Sequence, residues 1–518
     1  MNKNLYNKKS IDKTINHKTF NANSLNHNSN AGNPKHILTV IKDNQTFSLP
    51  CEESDTVLRV LQQHGFLFRA SCGGKGTCGH CLVLADGVKK RACQLLAKDC
   101  QSVTLLSDML NPEVEVLPTN ISSVKEDLPP RYGIAVDIGT TTIALALAEL
   151  NSGSILSTHG YLNPGASYGA DVLSRIEASN QGHCLELQQG LLSSLYREIL
   201  NLIQNLPLLN QLSDPSFSSN ANLLSDTPQI LPSCTQIESI CIAANTAMCH
   251  LLLGLSCETL GRAPFRPVTL SYPPMSGSEF FADAEPPLSP MLQDSAVMIL
   301  PGLSAFIGGD ITSGLYTLPA PKDSSYFLFV DLGTNGEMIL GNQECLFGTS
   351  VAAGPAFEGS RVPGSEVLSA LCEIQKKKAL DETGLLRGAY FYGGYRYGNY
   401  HFSQEDIRSI QLAKASVRAG IETLIHTAQI TASQISAVYL CGGFGTHTDT
   451  DQAIAIGMFP EEFRGKVSSM GNTSLGGAVR YLTTPSASFF DELQKRTRVV
   501  DLASSEVYQD AYVRWMGF

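Results

Sequence analysis

The stretch Asp137-Ile138-Gly139-Thr140 recurs as Asp331-Leu332-Gly333-Thr334, and each copy closes an apolar run of strand-forming residues. A strand that ends in a carboxylate and turns through Gly into small hydroxyl residues is a demanding local design. Its backbone N–H groups and threonine hydroxyls can cradle phosphate oxygens, and its carboxylate can hold Mg²⁺ through water. One such turn is weak evidence, because Gly turns after strands are common. Two copies, with a further glycine loop in the right order, are strong evidence. A third strand-to-glycine loop, Val438-Tyr439-Leu440-Cys441-Gly442-Gly443-Phe444-Gly445, would admit a flat nucleoside against the backbone. The strand-to-glycine loops carry neither a G-x4-G-K-[ST] nor a G-x-G-x-x-G, which disfavours the P-loop and dinucleotide folds.

A second constellation lies nearer the N-terminus. Cys72, Cys78 and Cys81 have the spacing C-x5-C-x2-C in a glycine-rich loop, and Cys93 follows. Four thiolates so placed can reach the irons of one small cluster, and the glycines let the backbone wrap closely. The plant-type ferredoxin pattern differs by one residue in the first gap. A [2Fe–2S] cluster is therefore expected. A structural zinc site is the alternative, although zinc ribbons favour paired C-x2-C knuckles. Cys51, Cys100 and His80 are expected as filler.

The flanking pattern places this loop in a small domain. Ile37–Ile41 and Thr46–Leu49 read as a hairpin, and Ser54 or Asp55 is expected to cap a helix burying Val57, Leu58 and Leu61. Asp86-Gly87 is a tight-turn signal between two further strands. The reading is a β-grasp domain over 35–107, after a disordered tail at 1–34. A proline-bearing linker follows at 108–131. An α/β domain occupies 132–518, with strands near 132–138, 143–149, 237–244, 326–332 and 436–441. Helical stretches are expected at 170–205 and 405–430, and a surface insertion at 206–235.

At 518 residues and 43% hydrophobic, the chain can build several cores. A net charge of −11 disfavours nucleic acid and anionic membranes as partners. No apolar run approaches a membrane span, and no secretory signal is recognisable, so a cytoplasmic location is expected. Of the 14 cysteines, those at 184, 234, 241, 249, 257, 345, 372 and 441 are expected as buried small hydrophobes. His250 is expected in the core, and the segment around Trp515 to dock back on a domain.

Together these motifs resemble the acetate/sugar kinase–Hsp70–actin superfamily, with phosphate loops at 137–142 and 331–337 and an adenosine loop at 442–445. Ala244-Asn245-Thr246-Ala247-Met248, Ala353 to Gly359, Asp406-Ile407-Arg408, Gln411 to Lys414 and Gly471-Asn472-Thr473-Ser474-Leu475 sharpen the match. With the cysteine loop in front, residues 36–485 resemble the reductive activators of corrinoid proteins. The resemblance implies a multidomain α/β and α+β architecture: a β-grasp [2Fe–2S] ferredoxin-like domain, then a two-lobed actin-like (ribonuclease H-like) ATPase domain. It implies one-electron reduction of a Co(II) corrinoid to Co(I) at the expense of ATP, supporting methyl transfer. The cluster ligands would be Cys72, Cys78, Cys81 and Cys93. ATP and Mg²⁺ would be held by Asp137, Gly139, Thr140, Thr141, Thr142, Asp331, Gly333, Thr334, Asn335, Gly442, Gly443 and Gly445. Glu358 would position the attacking water. Ser350 is expected as a cap or turn serine, with a weak contact to cobalt as the alternative.

Expected partners are a corrinoid protein, an external low-potential electron donor and a second copy of the chain. The stretch from Arg361 to Phe402 is shorter than the family's usual one, and Ala244 stands where the family tends to have Gly. Two other readings use the same motifs. One is a sugar or carboxylate kinase with an appended ferredoxin domain, and the other a nucleotide-sensing, redox-dependent binding module.

Overall fold

A computed structural model describes residues 36–42, 45–63, 66, 81–105, 129–169, 171–204, 236–285, 287–319, 324–333, 335–354, 364–445 and 448–518. The expected tail at 1–34, most of the linker, the whole insertion at 206–235, Cys72, Cys78, His80, Cys234, Thr334 and Glu358 lie outside the described residues.

Five strands form the first sheet: β1 (His36–Lys42), β2 (Gln45–Cys51), β3 (Leu82–Ala85), β4 (Val88–Arg91) and β5 (Ser102–Thr104), in the order β2-β1-β5-β3-β4. β1 pairs antiparallel with β2 but parallel with β5, which gives a mixed sheet. Leu38, Val40, Val83 and Val103 alternate onto one face and bury Val57, Val60 and Leu61 of the helix Val57–Gln63. The cap of that helix is corrected by one residue. Thr56 Oγ1 accepts from Arg59 N at 3.3 Å, whereas Asp55 accepts from Glu52 N. Asp86 and Gly87 both have positive φ (48° and 80°), as the tight β3–β4 turn requires.

Two six-stranded sheets follow. The first contains β6 (Tyr132–Ile138), β7 (Thr142–Glu149), β8 (Ile155–Leu162), β9 (Ile237–Ala244), β10 (Met275–Ser276) and β11 (Ala296–Ile299), in the order β10-β11-β9-β6-β7-β8. The second contains β12 (Tyr326–Leu332), β13 (Gly336–Gly341), β14 (Leu346–Val351), β17 (Ile435–Cys441), β18 (Val467–Gly471) and β19 (Thr497–Val499). Its order is β18-β17-β12-β13-β14-β19, and β15 (Tyr395–Tyr397) and β16 (Tyr400–Phe402) make a separate hairpin. In each sheet an antiparallel meander (β6-β7-β8, β12-β13-β14) adds a parallel strand, β9 or β17, beside its first member. The repeated Asp-x-Gly-Thr motif thus occupies equivalent hairpins of two copies of one scaffold.

Side-chain size decides what packs on each face of the first large sheet. Ile134, Val136 and Ile138 of β6 face the core with the helix Cys184–Gln204. Ala135 of β6 and Ala144, Ala146 and Ala148 of β7 face the other way, and their small side chains admit the helix Thr473–Thr483 through Leu475, Ala478 and Val479. That helix begins after β18, the edge strand that pairs parallel with β17 in the second sheet. Conversely, the helix Gly309–Thr317, which follows the first sheet, packs Ile311 and Leu315 on Phe329 and Ile339 of the second. Each lobe lends the other a helix, and the two meet where a Cβ on Gly477 would lie 1.9 Å from Ser313 O.

The stretch expected to be helical at 170–205 is interrupted. The helix Val172–Ala178 continues through a wider turn at 179–183, where Gly182 takes φ 105°, before the helix Cys184–Gln204. His250 lies in the core as expected, accepting from Val268 N at 3.0 Å while Nδ1 meets Thr246 O at 2.8 Å. Cys241, Cys249, Cys257 and Cys441 are buried, but Cys184, Cys345 and Cys372 are only half-buried. Among the described residues, no helix is long and apolar enough to cross a membrane.

Candidate functional site

The β6–β7 hairpin turns through Gly139, Thr140 and Thr141, with Ile138 paired to Ile143 on either side. A Cβ on Gly139 would approach Thr142 O at 2.9 Å, so the turn is as tight as its residues allow. Two asparagines from lobe one brace it. Fully buried Asn163 donates from Nδ2 to Gly139 O at 2.8 Å, and its N–H reaches Thr141 O at 2.9 Å. Asn245, which caps the helix Thr246–Leu252, donates to Thr140 Oγ1 at 3.3 Å. The equivalent β12–β13 turn runs through Gly333 and Asn335, with Gly333 N donating to Asn335 O at 2.9 Å.

The third loop lies against the second. Asp331 and Cys441 are partners on adjacent parallel strands, so the chain leaves β17 directly beside Asp331. Gly442 then adopts φ +81°, and a Cβ there would fall 2.4 Å from Asp331 Oδ1. Only glycine satisfies both the backbone angle and the contact. Gly442, Gly443 and Gly445 form one helical turn at this point.

Four carboxyls converge on these loops. Asp137 accepts from Asn472 Nδ2 at 2.9 Å and from Ser474 Oγ at 2.7 Å, so residues at the start of the lent helix hold the lobe-one aspartate. Burial nevertheless raises its pKa. Asp331 is pushed up to about 7 by burial and by the charges of Asp310 and Asp137. Asp310 is likewise pushed up to about 7, chiefly by burial, with Asp137 adding to it. Glu337, opposite Asp331 in the ladder, is raised well above the usual range by burial and by Asp310 and Asp331. Ser350 donates to Glu337 Oε1 at 3.2 Å from β14. It is therefore a strand residue of the acid cluster, not the expected cap or turn serine.

Such an arrangement favours proton uptake or a cation. Among the described residues, no three Cys, His, Asp or Glu side chains are placed to grip a bare metal ion. These acids suit a hydrated cation shared with phosphate oxygens. Asp137 and Asp331 are near enough for the charge of one to act on the other. Asp310 had no role in the sequence reading; its only sequence signal is Gly308-Gly309-Asp310 at a helix start. Asn472 and Ser474 were visible only as part of a motif.

In the first domain, the β3–β4 hairpin brings Cys81 and Cys93 to its open end. Cys81 precedes β3, Cys93 follows β4 by one residue, and Ala92 N donates to Cys81 O at 2.7 Å. Both are buried in the same core, next to where the loop carrying Cys72 and Cys78 joins the hairpin. Two buried thiols gathered by one hairpin fit an iron–sulfur ligand set. Cys51 and Cys100 point into the same core, and burial raises both thiols above their ordinary pKa. They are filler, as expected.

A duplicated, helix-exchanging pair of sheets with acid-lined loops between them defines the acetate/sugar kinase–Hsp70–actin (ASKHA) fold, here carried behind a ferredoxin-like domain. Comparisons with known proteins agree. Residues 40–102 match the 2Fe-2S iron-sulfur cluster binding domain, and 132–224 with 222–319 match the RACo middle region. Residues 325–385 and 395–518 match the C-terminal domain of RACo, the ASKHA domain. The corrinoid activation enzyme RamQ of Eubacterium limosum is 26% identical over 463 residues, covering 78% of this chain and 72% of its own. The solved structure of a reductive activator for corrinoid, iron-sulfur protein superposes with a TM-score of 0.63 at 21% identity. It covers 93% of this chain and 98% of the other. The chain belongs to the family of reductive activators of corrinoid proteins.

Proposed function

We propose that this chain couples ATP hydrolysis to the one-electron reduction of a partner protein's Co(II) corrinoid to Co(I), keeping that partner competent for methyl transfer. The observation that carries the reading is the meeting of Asp137, Asp310, Asp331 and Glu337 from both lobes beside the glycine loops. Family membership supplies the redox partner.

Cys72, Cys78, Cys81 and Cys93 would hold a [2Fe–2S] cluster, which supplies single electrons at about −400 mV. A Co(II)/Co(I) couple is expected to be lower, and each 100 mV uphill costs about 2.3 kcal/mol for one electron. ATP can offset that cost only if its bound states favour different lobe arrangements. Asp137 and Asp331 would hold Mg²⁺ through water. Gly139, Thr140, Thr141, Thr142, Gly333, Thr334 and Asn335 would cradle the phosphates, and Gly442, Gly443 and Gly445 would receive the nucleoside. Glu358 is assigned the positioning of the attacking water. The exchanged helices provide the mechanical link, because Asn472 and Ser474 grip Asp137 while Ser313 Oγ donates to Ser474 O at 2.7 Å. Domains at 35–107 and 132–518, joined by 108–131, a cytoplasmic setting, an external low-potential donor and a second copy of the chain complete the proposal.

The test is anaerobic purification followed by Co(I) spectroscopy with a corrinoid protein, a reductant too weak to act alone, and ATP. Two irons and two labile sulfides per chain, lost in Cys78→Ser, and ATP-dependent Co(I) formation are expected. Zinc in place of iron, or Co(I) yield indifferent to ATP, overturns the reading.

A further inference from the structure

The helical turn Tyr390–Gly393 buries none of its residues. Tyr392 is 93% exposed, with Phe391 at 43% and Tyr390 at 40% beside it. Three adjacent aromatics in water are unusual unless a partner covers them.

The base of this knuckle is rigid. Gly388 and Gly394 flank it at φ +58° and +68°. Gly394 N donates to Tyr390 O at 2.9 Å, and His401 Nε2 lies 2.6 Å from Gly393 O. A Cβ on Gly394 would meet the His401 ring at 2.5 Å, so that contact needs glycine. The Tyr390 ring lies 5.1 Å from that of buried Tyr395, whose hydroxyl donates to Glu373 at 2.6 Å. Anchored below and bare above, the aromatics are already held in place for binding.

Charge indicates the occupant. Residues 373–402 carry five lysines and arginines against three acids, in a chain of net charge −11. Lys376, Lys377, Lys378, Arg387 and Arg396 are all exposed. They adjoin the knuckle: Lys377 lies over the Tyr395 ring, Arg387 O accepts from Tyr390 N, and Arg396 is paired with His401. Of the acids, Glu373 is engaged by Lys377 and Tyr395, and Asp381 by its own turn, leaving Glu382 exposed. A basic, aromatic knuckle on an acidic molecule suits an acidic protein face with an apolar centre. The match to the family's C-terminal domain also stops at 385 and resumes at 395, so the knuckle is not part of the matched family pattern. A second copy would have to set a different, acidic surface on this basic one, since the same patch cannot pair with itself through like charges.

Resting on the function proposed above, we propose that Tyr390, Phe391 and Tyr392 dock the corrinoid protein through an acidic face of that partner and help select which corrinoid protein is served.

The test uses the full chain and a corrinoid protein that it reduces. Phe391→Ala with Tyr392→Ala should raise the KM for that protein at least about tenfold, with kcat and basal ATP turnover within twofold and an unchanged melting temperature. Arg387→Glu with Arg396→Glu should slow association and flatten its salt dependence. An unchanged KM in both variants overturns the docking assignment while leaving the proposed function standing. If the parent chain with ATP forms no Co(I) on any corrinoid protein, the proposed function fails and the docking assignment fails with it. Loss of self-association by sedimentation, or of binding to phosphatidylserine vesicles, with KM unchanged would assign the knuckle to a second copy or a lipid surface instead.

Discussion

The two lobes share one strand order, yet they hold their aspartates differently. Asp137 in lobe one accepts two hydrogen bonds, from Asn472 and Ser474. Asp331 in lobe two faces Asp310 and Asp137, whose charges add to burial and lift it to about 7. The lobe-one carboxylate is tied into the protein, whereas the lobe-two carboxylate lies in a field that a cation would relieve. The duplicated scaffold thus holds one aspartate with the protein's own donors and leaves the other among like charges.

The largest expected effects test this asymmetry. Asp331→Ala and Asp137→Ala should each lower ATP turnover on the order of 100-fold or more, since each would remove a group proposed to hold the cation. Their stabilities should diverge. Without nucleotide, Asp331→Ala should melt at or above the parent because like-charge repulsion is relieved. Asp137→Ala should lose about 1–3 kcal/mol as Asn472 and Ser474 lose their acceptor. Equal shifts in a denaturant titration would erase the distinction. The iron–sulfur spectrum should survive in both variants.

The helix exchange offers the next comparison. Gly477 and Gly314 let the helices Thr473–Thr483 and Gly309–Thr317 approach; a Cβ on Gly314 would lie 2.6 Å from the Phe329 ring. Gly477→Ala would drive a methyl into the Ser313 backbone, and helices that each belong to two lobes have little room to separate. A loss of about 3 kcal/mol is expected by denaturant unfolding. A loss under 1 kcal/mol would mean that the lobes slide apart readily.

Much of the fold was legible because the strands are long, apolar and closed by glycine turns. The expected bounds 132–138, 237–244 and 326–332 coincide with β6, β9 and β12. The acid site was legible only where a motif repeats. Asp310 sits in a Gly-Gly-Asp that reads like an ordinary turn, and it reaches the site only because its helix crosses between lobes. Ser350 was misjudged because the run before Ala352 looks like a turn, whereas β14 extends through Val351. The break at Gly182 was also hidden, since the polar residues around it fit a helix surface.

Each lobe also buries a cation. In lobe one, fully buried Arg175 donates to Gly169 O at 3.0 Å, while its Nη2 finds no acceptor among the described residues. In lobe two, buried Lys414 donates to Trp515 O at 2.7 Å and Gly517 O at 2.5 Å beneath the Phe518 ring, so the Trp515 segment docks as expected. Arginine keeps its proton in the working range, but burial lowers Lys414 from 10.5 to about 8. Between those values the unfolded chain holds a proton that the folded chain has released. Stability linked to Lys414 therefore rises with pH across that window and is lost as pH falls through about 8. Relative to Lys414→Met, the parent should gain about 2 kcal/mol between pH 8 and 9.5 in chemical unfolding. Parallel pH profiles would show that Lys414 keeps its charge as Arg175 does.

The smallest effect contrasts with Gly477. Gly190 also lies in a helix, Cys184–Gln204, but a Cβ there would meet nothing within 4 Å. A helical glycine with open space around it contributes only the backbone freedom it loses on folding, which costs roughly 0.5–1 kcal/mol relative to alanine. Gly190→Ala should therefore stabilise the chain by about that amount, mainly by restricting the unfolded state. The same substitution, in two helices of one domain, is then expected to have opposite signs. Chain entropy acts at both sites, and only at Gly477 does the neighbouring backbone outweigh it. If Gly190→Ala destabilised the protein in denaturant titrations, something would have to pack against that face, and the description of this helix as open at Gly190 would be wrong.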